Sequence, residues 1–245
     1  MYSASANGMQ SATFSYDMNM TMTPADDAST QALGAAAGLL SNLGIKASGT
    51  GVMQVIDPTK NLANVKMDIN TEAMGQKIVV QTITISGTTW TRLGADGTWT
   101  KADASTAVTT AKSETNVDPG NMFMAFDSAT NVKWLDDNPL NGQPTHHLSF
   151  QIDPAKLNLA GMIQGSQNGK ATPDQIKAIM NDMTLKGEAW LGADDLLPRQ
   201  EKVTMGWVMP LPGGTGTNAN LKVGMDTTMV FDKINQPVDI KPPAQ

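Results

Sequence analysis

The sequence has 245 residues and a formal net charge of −6, and only 16% of its residues are charged. It contains no block of Lys and Arg and no basic aromatic stretch, which argues against a nucleic-acid-binding protein and against electrostatic docking on an anionic membrane. The absence of cysteine excludes disulfides, thiolate metal sites and a cysteine nucleophile.

A chain of this length can bury a sizeable core as one large β-rich domain or as two small ones. Strand-like segments run from end to end without a linker, so we predict one domain over 1–245, with 1–10 and 236–245 as flexible or extended termini. No apolar run reaches the length of a membrane span. The first residues are small and polar and do not form a signal peptide. A cytosolic protein and a chain trimmed of an export signal both remain open.

The first predicted element is a half-buried strand over 14–22. Its large apolar residues alternate with polar ones and therefore share one face: Phe14, Tyr16, Met18, Met20 and Met22. Pro24 ends this strand. Asp26 and Asp27 then begin a helix that we predict to continue to Leu43, before Gly44.

Alternating segments separated by turn residues predict ten further strands. These are 49–57, 62–70, 76–86, 88–92, 98–101, 132–136, 145–153, 183–191, 196–209 and 221–231. Asp118-Pro119 introduces a short apolar element, and Asp153-Pro154 begins a second helix. The capping box that starts at Thr172 begins a third helix, which contains Ile179. This order of elements is typical of an α+β fold rather than of alternating β-α-β units.

The residues give little support to catalysis or metal binding. His146 and His147 are adjacent on a predicted strand and therefore point to opposite faces, so they do not readily chelate one ion. The acidic doublets lie at helix starts and turns, where Asp caps backbone N–H groups. A hydrolase would need separate carboxylates to converge across the fold. We therefore predict no catalytic residue, no metal and no cofactor.

Several loose motifs resemble those of the mycobacterial LppX/LprG-type lipoprotein family, whose members share the fold of the lipoprotein carrier LolA. They are the strand and helix before Gly49-Thr50-Gly51, the hairpin 85–92 followed by Gly97-Thr98-Trp99, Asp118-Pro119 before an apolar helix, Asn141-Gly142 before a strand, Ala189-Trp190-Leu191 with Pro198-Arg199, and the tail 231–240 with Asn235, Pro237 and Ile240.

The resemblance implies a strongly curved antiparallel β half-barrel of about ten strands, with helices covering its concave face. It also implies an apolar cavity that binds a lipid or an acyl chain, without enzymatic activity. Family members are exported and anchored to the membrane through a lipid-modified cysteine, which implies an extracytoplasmic location at the cell envelope. This chain departs from the family in having no cysteine.

Lipid binding or transport predicts a set of cavity-lining residues on the first strand, the first helix and the apolar element after Asp118. They are Met18, Met20, Leu33, Ala36, Leu40, Leu43, Met122, Phe123 and Phe126. Burial of each methylene contributes about 0.8 kcal/mol, so affinity for an alkyl chain needs no polar motif. The alternative is an envelope structural or sensor domain of the same fold, in which these residues form a filled core.

Overall fold

The computed structural model describes residues 8–41, 44–57, 62–73, 75–103, 129–154, 173–211 and 219–244. These parts of the chain contain eleven strands and three helices. In chain order they are β1 (Ser11–Pro24), α1 (Asp27–Leu33), α2 (Ala35–Ser41), β2 (Ile45–Asp57), β3 (Leu62–Ala73), β4 (Gln76–Ile85), β5 (Thr88–Leu93), β6 (Thr100–Asp103), β7 (Ala129–Trp134), β8 (Thr145–Ile152), α3 (Pro173–Asp182), β9 (Thr184–Gly192), β10 (Pro198–Leu211) and β11 (Ala219–Asp232).

All eleven strands form one open antiparallel sheet in the order β6-β5-β4-β3-β2-β1-β11-β10-β9-β8-β7. The first and last strands of the chain are neighbours at its centre, where Phe14 lies opposite Phe231. An open, twisted sheet of this many strands rarely stays flat and tends to curl. The predicted α+β class and antiparallel sheet are confirmed, and the sheet is consistent with a curved half-barrel.

The alternation that predicted β1 is reproduced in its burial. Phe14, Tyr16 and Met18 are buried, whereas Asp17 and Asn19, on either side of Met18, are exposed. Residues directly opposite one another on antiparallel strands share a face. We call the face that carries Phe14, Tyr16, Met18 and their cross-strand partners the apolar face, and the other the polar face.

The apolar face carries two separate core clusters. The first core cluster lies mainly on β1, β2, β3 and β11 and consists of Met9, Ala12, Phe14, Tyr16, Met18, Ala47, Met53, Met67, Ile69, Met229 and Phe231. The second core cluster lies on β8, β9 and α3 and consists of Leu148, Phe150, Ile152, Ile179, Met183, Leu185, Ala189 and Leu191. The protein therefore buries its apolar surface in two groups on the same side of one sheet.

The helix predicted from Asp27 to Leu43 is two short helices, α1 and α2, which is a correction to the sequence analysis. Asp26 caps α1 as predicted, because its carboxylate accepts the Ser29 N–H at 2.6 Å. Gly34 ends α1: it has a φ of 53°, and its N–H donates to the carbonyl oxygens of Thr30 and Gln31. A glycine adopts this conformation without the steric penalty of a side chain, so the helix ends within the predicted segment.

Helix α3 corresponds to the helix predicted after Thr172, and its Ile179 is buried in the second core cluster. Helices α1 and α2 pack against the central strands β1 and β11. The predicted apolar element at 122–126 and the predicted helix beyond Pro154 lie outside the described residues. Helix α3 contributes Ile179 to the second core cluster.

Residues 8–10, at the end of the segment predicted to be flexible or extended, contact the core and the segment after β11. Met9 is buried in the first core cluster. The Gln10 N–H donates to Asn235 Oδ1 at 2.6 Å, and Asn235 Nδ2 donates to the Gly8 carbonyl oxygen at 3.1 Å. These bonds hold the start of β1 against the segment that follows β11, because the two strands are neighbours in the sheet.

Candidate functional site

A row of three methionines crosses the centre of the apolar face. Met20 on β1 lies opposite Met225 on β11, and Met225 lies opposite Met205 on β10. All three side chains are half-buried, in contrast to Met229, which is four residues further along β11 than Met225 and only 1% exposed. We call Met20, Met225 and Met205 the methionine row.

The methionine row lies between the two core clusters. Met225 packs against the first core cluster and Met205 against the second, and neither cluster includes them among its fully buried members. Methionine is flexible and polarizable, and it is common at surfaces that adapt to varied apolar partners. The row is therefore an apolar junction that is less completely buried than the residues on either side.

Aromatic and aliphatic side chains extend the row toward one end of the sheet. Met22 lies opposite Val223, and Val223 lies opposite Trp207 on β10. Trp207 is half-buried and packs against the second core cluster. Together with the methionine row, Met22 and Trp207 form a continuous, half-buried apolar strip across β1, β11 and β10.

A band of three residues lies beside the row toward the other end. Met18 lies opposite Thr227, and Thr227 lies opposite Val203. All three are buried. Thr227 is the single polar residue among the apolar-face residues of β11, which are Ala219, Leu221, Val223, Met225, Thr227, Met229 and Phe231.

Two ionisable side chains, Glu201 and Tyr16, lie on the apolar face beside Met229. Glu201 on β10 lies opposite Met229, and Tyr16 on β1 lies opposite the same methionine from the other side. Both are buried. Burial raises the pKa of the Tyr16 phenol, and the neighbouring Asp17 carboxylate raises it further, so this group stays neutral at physiological pH.

The structure places some of the predicted cavity-lining residues together and others apart. Met18 and Met20 lie on the apolar face of β1. Leu33 is half-buried at the end of α1. Ala36 is exposed on α2, and the next residue, Ala37, is buried instead. The side chain of Leu40 and the whole of Leu43, Met122, Phe123 and Phe126 lie outside the described residues.

Sequence reasoning missed Met205, Trp207 and Met225 as members of the site. The signal was present, because Val203, Met205 and Trp207 alternate along the predicted strand 196–209. The sequence does not record the order of the strands in the sheet. In the folded sheet β11 lies beside β1, and β10 lies beside β11.

The two adjacent histidines lie on opposite faces of β8. His146 lies opposite Leu191 on the apolar face, and its Nδ1 is 3.1 Å from Asp137 Oδ2. His147 lies opposite Trp190 on the polar face and stacks on its ring at 4.1 Å between centroids. His147 Nε2 is 3.1 Å from Glu188 Oε2. Within the described ranges, no three His, Asp or Glu side chains are grouped as metal ligands.

Two open depressions lie away from the methionine row. One, of about 600 Å³, is lined largely by polar-face residues of the central strands, including Asp17, Lys46 and Glu72. The other, of about 570 Å³, lies at the edge formed by β7 and β8 and is lined by Trp134, Leu135, Asp136, Asp137, His146 and Leu196.

None of the helices in the described parts of the chain has the length and apolar character needed to span a membrane. No protein-family model matches the sequence, and no curated protein sequence matches it significantly.

Comparison with solved structures identifies the fold. LprF from Mycobacterium bovis is 12% identical and superimposes with a TM-score of 0.53 over 100% of this chain and 94% of that chain. The lipoprotein LppX from Mycobacterium tuberculosis is 13% identical, with a TM-score of 0.43 over 97% of this chain and 93% of that chain. A DUF1329 family protein from Desulfovibrio piger is 9% identical, with a TM-score of 0.28 over 98% and 90%. The likeness to LprF confirms the predicted LppX/LprG-type, LolA-like lipoprotein fold.

Proposed function

We propose that this protein binds a lipid or another acylated molecule without enzymatic activity, and that the methionine row is where the apolar chain lies. The observation that carries the proposal is the position of the row. Met20, Met225 and Met205 are half-buried between two fully buried clusters on one face of the sheet. The LprF-like fold supports the proposal, because its open sheet leaves one broad apolar face for a ligand.

An alkyl chain on this strip gains affinity from burial alone. The removal of each methylene from water contributes about 0.8 kcal/mol, so the burial of about 5–20 methylenes offsets the roughly 4–15 kcal/mol of translational and rotational freedom that association costs. Flexible methionine side chains adjust to the chain without large strain. We further propose that helices cover the concave side of the sheet above the ligand, and that the predicted residues Leu40, Leu43, Met122, Phe123 and Phe126 line the cavity.

We also propose an extracytoplasmic location at the cell envelope, with the native protein anchored as a lipoprotein. The sequence motifs that resemble the LppX/LprG-type family support this location. Expression from the complete native gene followed by membrane fractionation tests it. We expect the protein in the membrane fraction and its release by detergent rather than by high salt, whereas recovery in the cytosolic fraction would contradict the location.

Titration of the delipidated protein with a fluorescent fatty-acyl probe tests the binding proposal. We expect saturable binding, and we expect Met225→Gln to weaken it by about tenfold, because one polar side chain in the strip removes roughly 1.5 kcal/mol of apolar contact. The matched control is Val230→Gln, which places the same side chain on the same strand but on the polar face. It should leave probe affinity unchanged.

Native mass spectrometry after gentle purification provides a second measurement. A copurifying lipid that is lost from the Met225→Gln variant supports the proposal. If the wild-type protein retains no lipid and binds no acyl probe, the binding function is wrong, and the alternative of an envelope structural or sensor domain with a filled core replaces it.

A further inference from the structure

The edge of the sheet at β7 exposes three large apolar side chains. Val132, Trp134 and Leu135 are 53%, 54% and 38% exposed, and neighbouring exposed apolar residues mark sites of interaction. Among the described strands, β7 is the last of the sheet and pairs with β8 alone. Its register shifts between Thr130 and Lys133, and a bulge at an edge disfavours the addition of another strand. The exposed side chains, rather than the backbone of β7, are therefore the feature available to a partner.

Trp134 lies in an open depression of about 570 Å³, which is lined by Trp134, Leu135, Asp136, Asp137, His146 and Leu196. The His146 ring meets the Trp134 ring edge to face, with 5.1 Å between the centroids, and His146 Nδ1 is 3.1 Å from Asp137 Oδ2. None of the described residues that line the depression is Lys or Arg. Lys133, next to Trp134 in the sequence, lies opposite Ser149 and therefore on the polar face.

Two other tryptophans of this chain hold a cation of the chain over the ring. Arg92 is 4.9 Å from the centroid of Trp99, and Lys202 is 5.1 Å from the centroid of Trp190. The face of an indole ring carries partial negative charge and attracts cations. Over Trp134 the described part of the chain places no Lys or Arg, and two carboxylates line the same depression. The depression is therefore complementary to a group that combines positive charge with apolar surface.

We propose that the β7 edge is a docking surface for another protein, whose exposed segment carries an arginine or lysine beside an apolar residue. The cationic group lies over the Trp134 ring, near the carboxylates of Asp136 and Asp137. The apolar side chain of the same segment covers Val132 and Leu135.

The charge of the depression argues against two other occupants. A symmetric contact with a second copy would bring the same pair of carboxylates from both molecules to one interface. An anionic membrane attracts basic surfaces and repels acidic ones. Strands β8 and β9 separate β7 from the methionine row on β10, so this inference is independent of the proposed function.

Two peptides that differ only in charge test the inference. The probe is an end-blocked peptide of sequence Gly-Leu-Arg-Gly-Leu-Arg-Gly, and in its control both arginines are replaced by citrulline, which keeps the shape and removes the charge. Isothermal titration calorimetry measures affinity, and fluorine NMR of protein labelled with 5-fluorotryptophan locates the contact. We expect the arginine peptide to move the Trp134 resonance, and the citrulline peptide to bind about fivefold more weakly.

Substitutions in the depression separate the ring from the carboxylates. Trp134→Leu keeps an apolar side chain, and we expect about threefold weaker binding of the arginine peptide and unchanged binding of the citrulline peptide. Asp136→Asn leaves the contact between Asp137 and His146 in place and should weaken the arginine peptide about twofold. The matched controls are Trp99→Leu and Asp96→Asn, between β5 and β6 at the other end of the sheet, and both should bind as wild type.

The outcomes distinguish this docking surface from the methionine row. If the arginine peptide binds no better than the citrulline peptide, or moves only the resonances of other tryptophans, the inference is overturned. It is also overturned if the Trp134 resonance moves with protein concentration or with phosphatidylcholine vesicles instead, because the occupant is then a second copy or a membrane. Trp134→Leu should bind the fluorescent acyl probe as wild type does, so loss of peptide binding leaves the proposed function intact.

Discussion

The Phe14 side chain on β1 lies across Gly51, its cross-strand partner on β2. A methyl group at Gly51 would overlap the Phe14 ring. Tyr16 and Gly49 repeat this arrangement one step along the same strands, and Phe150 on β8 and Gly187 on β9 repeat it in the second core cluster. An aromatic ring that covers a glycine on the neighbouring strand compensates for the missing side chain and fixes the register of the pair.

Gly51→Ala should lower the free energy of unfolding by about 1–3 kcal/mol, because the added methyl group displaces a buried ring from a well-packed position. Urea unfolding followed by far-ultraviolet circular dichroism measures the change. The matched control is Gly38→Ala on α2, where a methyl group would meet nothing within 4 Å. That substitution should stabilise the protein by about 0.5–1 kcal/mol, because alanine favours a helix more than glycine does.

The cause of the Gly51 effect is tested in a Phe14→Leu background. A smaller side chain leaves room for the methyl group, so Gly51→Ala should cost less there, with a coupling energy of about 0.5–3 kcal/mol. If Gly51→Ala lowers the free energy of unfolding equally in both backgrounds, the β2 backbone, and not the Phe14 ring, requires glycine at position 51.

The methionine row should oxidise before the methionines of the core. Met20, Met205 and Met225 are half-buried, whereas Met229 and Met53 are 1% and 2% exposed. Susceptibility to sulfoxide formation follows exposure, so dilute hydrogen peroxide should modify the first three several-fold faster. Peptide mass spectrometry measures each site, with Met229 and Met53 as controls within the same molecule.

A bound acyl chain should protect the same three methionines and leave the rates at Met229 and Met53 unchanged. Equal rates at all five sites, or protection that spreads evenly over them, would argue against a ligand on the methionine row.

Asp195 should contribute to stability in a pH-dependent way. Its partial burial acts to raise its pKa, but the hydrogen bonds from the Arg199 guanidinium and the Leu197 N–H, together with the Arg199 charge, outweigh burial, and the pKa is lowered. A carboxyl whose pKa is lower in the folded state stabilises the protein above its unfolded pKa of about 3.9, and that contribution is lost as the pH falls through the folded pKa.

Asp195→Asn should therefore reduce stability at pH 7 and have little effect at pH 2. Because the Asp195 side chain is 42% exposed, solvent screening limits the loss to about 0.5 kcal/mol. Urea midpoints of the variant and of wild type across this pH range measure the difference, and Asp194→Asn in the same turn is the control. If the difference in stability between Asp195→Asn and wild type does not change with pH, it arises from the turn geometry and not from the Asp195–Arg199 ion pair.

The sequence alone determined the approximate positions of the eleven strands and the residues on each face of β1. Strict alternation from Phe14 to Met22 specifies which side chains are buried, because successive residues of a strand point to opposite faces. The same rule separates His146 from His147, and Asp26 was identified as a helix cap from its position before an Ala-rich run. These conclusions need only local geometry, and the structure agrees with them.

Only the tertiary structure decided which strands are neighbours, and with that the composition of the site. Met20 is about two hundred residues from Met205 and Met225 along the chain, yet β1, β11 and β10 are adjacent in the sheet. No local pattern records this pairing, since each strand alternates in the same way whichever strand lies beside it. The burial of Met9 and of Thr227 likewise follows from long-range packing, because each depends on groups that the fold brings together from distant parts of the chain.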